Sequence, residues 1–114
     1  MLPKENRLPL RTEFLRLKKE GLYCSSQNFN LLYVVEKDEI ASPRFAFVVS
    51  KKIDKRAVIR NRIRRHLSEA IYPLLPKLKK GTSGIFLVKR SLTERAFPEI
   101  KTELGKLFKE AGLL

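Results

Sequence analysis

Apolar residues recur along this chain at two different spacings, and the switches between them mark out its elements. Leu10, Phe14 and Leu17 fall at helical intervals while Arg11, Arg16, Lys18 and Lys19 point elsewhere. The spacing predicts a helix over 11–20, stopped by a left-handed Gly21. Phe29, Leu31, Tyr33 and Val35 then alternate with Asn30, Leu32 and Val34, the period of a strand rich in aromatic and β-branched residues. A polar stretch over 36–43 turns the chain. Phe45, Phe47 and Val49 alternate with Ala46, Val48 and Ser50, so an antiparallel hairpin is the economical pairing of the two strands. Both carry apolar residues on each face, which implies that helices cover at least part of each side.

Ile59, Ile63, Leu67, Ala70 and Ile71 return to helical spacing and predict a helix over 57–72, ended by Pro73, which lacks the amide a helix needs. Residues 74–78 read as a kinked continuation and 79–84 as a loop. Ile85-Phe86-Leu87-Val88 is a continuous apolar run, the mark of a buried strand. Ser91 or Thr93 is expected to cap a last helix with Pro98 in its first turn, Ile100, Leu104, Leu107, Phe108 and Ala111 on one face and Gly112 at its end. The opening nine residues, with two prolines, are expected to run extended over the surface. The order is α-β-β-(β)-α-β-α, with an extra short strand expected before the second helix. This predicts an α+β fold, a small sheet of three to four strands packed with helices, in one domain over residues 1–114 without linker or repeat.

Charge changes what the second helix means. The chain carries 25 Lys and Arg against 12 Asp and Glu, a net +13, with a pI near 10.2. Roughly half of that excess lies in residues 51–65, where Lys51, Lys52, Lys55, Arg56, Arg60, Arg62, Arg64 and Arg65 face the single acid Asp54. On the helix, Arg60, Asn61, Arg64, Arg65 and Ser68 are expected to project away from the apolar side. An ordinary solvated face mixes signs so that acids pair with bases one turn away, yet no acid occurs between Lys55 and Ser68. Such a face needs a polyanion. Guanidiniums fork onto phosphate oxygens, and Asn61 can donate and accept at a phosphate, a 2′-hydroxyl or a base edge.

A membrane is the weaker partner, because the apolar side of this helix lacks interfacial Trp or Phe and is needed for a core. The first residues show no hydrophobic signal segment, so a cytoplasmic location is expected. Cys24 and His66 are each the only residue of their kind, which leaves no disulfide, thiolate cluster or histidine pair to build. Glu36, Asp38 and Glu39 cluster, but in a turn where acids are commonplace. No protein catalytic residue and no metal site is expected.

Ala57-Val58-Ile59-Arg60-Asn61-Arg62-Ile63-Arg64-Arg65 resembles the Arg-Asn-Arg signature of the bacterial ribonuclease P protein subunit. The resemblance extends to Leu2-Pro3-Lys4-Glu5-Asn6-Arg7-Leu8, to Phe14 and Gly21, and to Val49-Ser50-Lys51-Lys52, in the family's order over nearly the whole chain. It implies a β-α-β crossover around the basic helix, left-handed in that family, within a ribonucleoprotein endonuclease whose RNA subunit carries catalysis. The protein would bind that catalytic RNA and the single-stranded 5′ leader of precursor tRNA, assisting Mg²⁺-dependent removal of the leader. The Mg²⁺ would be bound mainly by RNA and substrate, and no obligate protein partner is implied. The RNA-binding set is Lys51, Lys52, Lys55, Arg56, Arg60, Asn61, Arg62, Arg64 and Arg65, and the leader cleft is Phe14, Lys18 and Ser50.

Phe14 matches the family's cleft aromatic, and its spacing to Leu10 and Leu17 equally suits a core residue. Several members carry a second aromatic where this chain has Lys18, a further basic residue at Ser68 and a glycine at Ala46. Tyr23 and Tyr33 are further aromatic candidates whose faces strand parity leaves open. The alternative is a ribosomal or other architectural RNA-binding protein. The basic helix alone would satisfy it, but the opening motif and the Val-Ser-Lys-Lys run would go unexplained.

Overall fold

The computed structural model describes residues 1–37 and 41–114. Asp38 and Glu39 of the acidic cluster, and part of the turn expected over 36–43, lie outside them. Three helices, α1 (Leu10–Glu20), α2 (Ala57–Ile71) and α3 (Phe97–Glu110), accompany four strands, β1 (Leu22–Ser25), β2 (Phe29–Val35), β3 (Arg44–Val48) and β4 (Thr82–Val88). The sheet order is β1-β2-β4-β3. β2 pairs antiparallel with both β1 and β4, while β3 and β4 run parallel and are joined through α2. This is the expected α+β order, with the basic helix in a β-α-β crossover.

The expected hairpin between the second and third strands does not form, because β4 lies between them. A central strand must bury both faces, and β4 does so with Phe86 and Ile85 fully buried on opposite sides, as its interior neighbour β2 does with Leu31 and Leu32. β3 begins at the charged Arg44 and takes an outer position, where the opening segment covers its edge. Arg7 bridges Phe45, and the Leu8 amide donates to the Phe45 carbonyl at 3.0 Å. That segment is therefore not a surface strap. Leu2, Asn6 and Leu8 are buried, a 3₁₀ turn forms over Lys4–Asn6, and Asn6 Nδ2 donates to the Pro43 carbonyl at 2.7 Å.

The extra strand is β1, which follows α1 directly. Gly21 is extended (φ −81°) rather than left-handed, and glycine is required there for space. A Cβ would come within 2.9 Å of Leu32 Cδ1 and closer still to the Leu17 carbonyl. β4 starts three residues before its apolar run, inside the expected loop, because Thr82 and Ser83 are buried opposite Val35 and Val34. Neither Ser91 nor Thr93 caps α3. The Thr93 hydroxyl donates to the Arg90 carbonyl within a 3₁₀ turn over Arg90–Glu94, and Ala96 precedes the helix. Gly112 ends α3 with φ +75°, and the Leu113 amide reaches back to the Phe108 carbonyl at 2.9 Å.

One face of the sheet is closed. Phe29, Leu31, Tyr33, Phe45, Phe86 and Val88 pack under Ile63, Leu67, Ala70 and Ile71 of α2 and Ile100, Leu104, Leu107 and Phe108 of α3. Phe86 is the hub, with ring centroids 5.7 Å from Phe29 and Phe45, 5.8 Å from Phe47 and 5.9 Å from Phe108. The apolar stripe read from α2 is thus the one that seats it, and Pro73 falls in a 3₁₀ turn over Tyr72–Lys77 as the stripe ends.

Candidate nucleic-acid interface

The basic helix and the loop before it form one braced unit. Asp54 accepts from the Arg56 amide at 2.9 Å and from the Arg56 guanidinium at 3.1 and 2.9 Å. The Arg56 side chain, and next its amide, hold the Asp54 carboxyl down to about 2. Arg60 Nη1 donates to the Asp54 and Lys55 carbonyls at 2.9 and 2.8 Å. Arg64 donates to Asn61 Oδ1 at 3.0 Å and to the Val49 carbonyl at 3.3 Å. Two arginines of the motif therefore tie the loop to the helix while keeping further N–H groups.

From the far side Arg90 donates to the Lys52 carbonyl at 2.8 Å and closes a concavity of about 530 Å³ lined also by Lys51, Ile53, Asp54, Lys55 and Arg56. Sequence reading missed Arg90. Its neighbour Lys89 makes a basic pair after a strand, but nothing in the spacing ties that pair to a loop 38 residues away. Lys51, Lys52, Lys55, Arg56, Asn61, Arg62 and Arg65 are exposed; Arg60 and Arg64 are half-buried.

Ser68 does not join the cationic side. It is buried, and its hydroxyl donates to the Arg64 carbonyl one turn back at 2.9 Å. His66 lies between the two sides, its ring 5.3 Å from that of Phe97. Burial lowers its pKa, Glu69 opposes the shift, and Arg62 and Arg65 add to it.

The second face of the sheet is only partly covered. Cross-strand register places Tyr23, Asn30, Leu32, Val34, Ile85, Leu87, Ala46 and Val48 on it. Under α1, Leu8, Leu17, Leu32, Ala46 and Ile85 are buried, whereas Leu10, Phe14, Val34, Val48 and Leu87 stay partly open. Ion pairs hold α1 over one end of this face. Arg16 joins Glu13 at 2.6 Å and Glu36, just past β2, at 3.0 Å, and Arg44 at the start of β3 lies 3.8 Å from Glu13. The Arg16 hydrogen bond keeps the Glu13 carboxyl below the usual range against the opposing effect of burial.

Phe14 packs against this cluster and remains half-buried, on the boundary between core and open face. Lys18, one turn further on, is exposed. Ser50 is exposed where the chain leaves β3 for the basic loop, so it lies between the open face and the cationic unit. Parity separates the tyrosines. Tyr33 stands opposite Leu22 and Gly84 on the closed face, its hydroxyl donating to the Ala111 carbonyl at 3.3 Å, whereas Tyr23 stands opposite Leu32 on the open one. Among the described residues no helix is long and apolar enough to cross a membrane.

The family model for Ribonuclease P matches residues 2–112. The ribonuclease P protein component of Nostoc punctiforme is 34% identical over 131 residues, covering 96% of this chain and 94% of the relative. That of a Synechococcus strain is 35% identical, over 100% of this chain and 87% of its own length. Among solved structures, the ribonuclease P protein of Thermotoga maritima superposes with a TM-score of 0.81 at 25% identity, covering 91% of this chain and 96% of that one. That of Staphylococcus aureus shares the fold, with a TM-score of 0.84 at 23% identity over 95% and 96%. With a full-length family match, relatives above 30% identity and the braced Arg-Asn-Arg helix, this chain belongs to the ribonuclease P protein family, the protein component of a tRNA-processing endoribonuclease.

Proposed function

We propose that the chain docks its α2 and loop cations on the ribonuclease P RNA and holds the unpaired 5′ leader of precursor tRNA across the open face under α1, the RNA carrying out cleavage in the cytoplasm. The observation that carries this reading is one continuous surface. A cationic unit whose only acid, Asp54, is already held by Arg56 runs through Ser50 into a half-covered apolar floor. Phosphates supply the missing counter-charge, and bases suit the apolar floor.

The braces explain how the surface works. Arg60, Arg64 and Arg90 hold the loop backbone, so Lys51, Lys52, Lys55 and Arg56 present their charges from a fixed frame. Less side-chain and loop freedom is then lost on binding. Placed between two RNAs, these cations offset the repulsion between substrate and catalytic RNA. Mg²⁺ is assigned mainly to the RNA and substrate, whose phosphate oxygens are the hard donors it prefers.

Reconstitution with a bacterial ribonuclease P RNA tests the reading. Adding the protein is expected to lower the Mg²⁺ concentration needed for correct 5′ cleavage, while RNA-free protein cleaves nothing. An unchanged Mg²⁺ requirement would demote the chain to generic RNA binding, and cleavage by RNA-free protein would contradict the division of labour.

A further inference from the structure

The outer edge of the open face carries two groups that the cleft as drawn leaves unused. β1 is an edge strand, and its register sets Tyr23 directly opposite Leu32, so the phenol ring stands on the α1 side of the sheet, one strand further out. The ring is 57% exposed. On β2, two residues from Leu32 and on the same face, lies Asn30. Its Oδ1 is buried without a hydrogen-bond donor, the only such side-chain atom found among the described residues. A buried acceptor left unpaired is unfavourable, and an incoming N–H relieves it.

Diagonal neighbours across an antiparallel pair stand roughly 7–8 Å apart, within reach of a large ring. Asn30 as a whole is only half-buried, so a turn of its amide about the terminal torsion brings Oδ1 out to the N–H edge of a base lying flat on Tyr23. Phosphates on either side of that base would meet Lys18 and Lys19, both exposed in the last turn of α1. Gly21 passes the chain from α1 directly into β1, which keeps these cations beside the tyrosine strand.

We propose that Tyr23 and Asn30 form a nucleobase subsite at the edge of the sheet, with Tyr23 stacking on one unpaired base and Asn30 Oδ1 accepting from its edge. The subsite extends the leader path past α1 and rests on the leader reading of the open face. It replaces part of the stacking surface that Lys18 does not provide.

The test uses holoenzyme assembled on a bacterial ribonuclease P RNA, with long-leader precursor, short-leader precursor and mature tRNA. Tyr23→Ala is expected to weaken long-leader precursor about tenfold and leave mature tRNA unchanged, while Tyr23→Phe retains binding. Asn30→Ala follows the same pattern with a smaller loss. The chain has no tryptophan, so Tyr23→Trp installs a single reporter whose fluorescence should be quenched by leader-bearing RNA and not by leaderless RNA. Unchanged precursor affinity in Tyr23→Ala, equal loss for mature tRNA, or an unquenched Tyr23→Trp would each overturn the subsite. Lys18→Ala, measured in parallel, separates the two levels. Leader selectivity lost at Lys18 but not at Tyr23 removes this subsite alone, whereas no leader dependence at Phe14, Lys18 or Tyr23 removes the leader reading itself.

Discussion

The two faces of one sheet are built from the same alternating strands and end up doing different work. On the α2 and α3 side, Phe29, Phe45 and Phe108 meet around Phe86, all four buried. On the α1 side a smaller cluster of Leu8, Leu17, Leu32, Ala46 and Ile85 is sealed, and around it Phe14, Val34, Val48 and Leu87 stay half-open. Two helices cover the first face; one helix, pinned at one end by the Glu13, Arg16, Glu36 and Arg44 ion pairs, covers the second. The difference teaches that stability is concentrated on one side, which leaves apolar surface on the other free for a ligand. The basic helix takes part in both, with its stripe in the closed core and its arginines outside it.

Substitutions at graded depth can break or sharpen this contrast. Phe86→Ala should have the largest effect, about 3–5 kcal/mol of folding stability by chemical denaturation, with affinity for precursor and mature tRNA falling together. Selective loss of one RNA would place Phe86 at a binding face and break the contrast. Gly105→Ala should act in the opposite direction. A Cβ at this α3 position meets nothing within 4 Å, so stability should rise by about 0.5–1 kcal/mol with no change in RNA binding.

Glu13→Gln should have the smallest effect, a few tenths of a kcal/mol at neutral pH, since partly exposed pairs contribute little. Its pH dependence is the diagnostic. Folding depresses the Glu13 pKa from its ordinary 4.5, so the pair's contribution is complete above that value and is lost as pH falls through the lower folded one. The gap in melting temperature between wild type and Glu13→Gln should therefore close in acid, and a gap independent of pH would show that the pair does not hold α1.

Much of the closed face was legible in the sequence because its signals are local. The stripe from Ile59 to Ile71, Pro73 after it and the Ile85–Val88 run are strong periodic features, and they give α2 and the heart of β4 nearly to the residue. The parts that failed depend on distant partners. β1 has only Leu22, Tyr23, Cys24 and Ser25, without alternation, and becomes a strand by pairing with β2. Thr82 and Ser83 look like loop residues and are buried because β2 runs beside them. The local hairpin lost to a central strand that arrives after α2. At the site, the cationic block was visible by composition, but the inward turn of Ser68 and the arrival of Arg90 beside Lys52 are tertiary facts.

Phe14 carries the central claim, that the half-covered face is the substrate face, because it lies on the boundary between core and opening. The direct measurement is the affinity of Phe14→Ala holoenzyme for precursor and mature tRNA, taken beside the melting temperature of the protein. Stacking on one unpaired base is worth about 1–3 kcal/mol, so precursor binding should weaken roughly ten- to a hundredfold while mature tRNA binding holds and the melting temperature falls little. A loss of about 3–5 kcal/mol in folding stability, with both RNAs impaired alike, would make Phe14 a core residue and contradict the account.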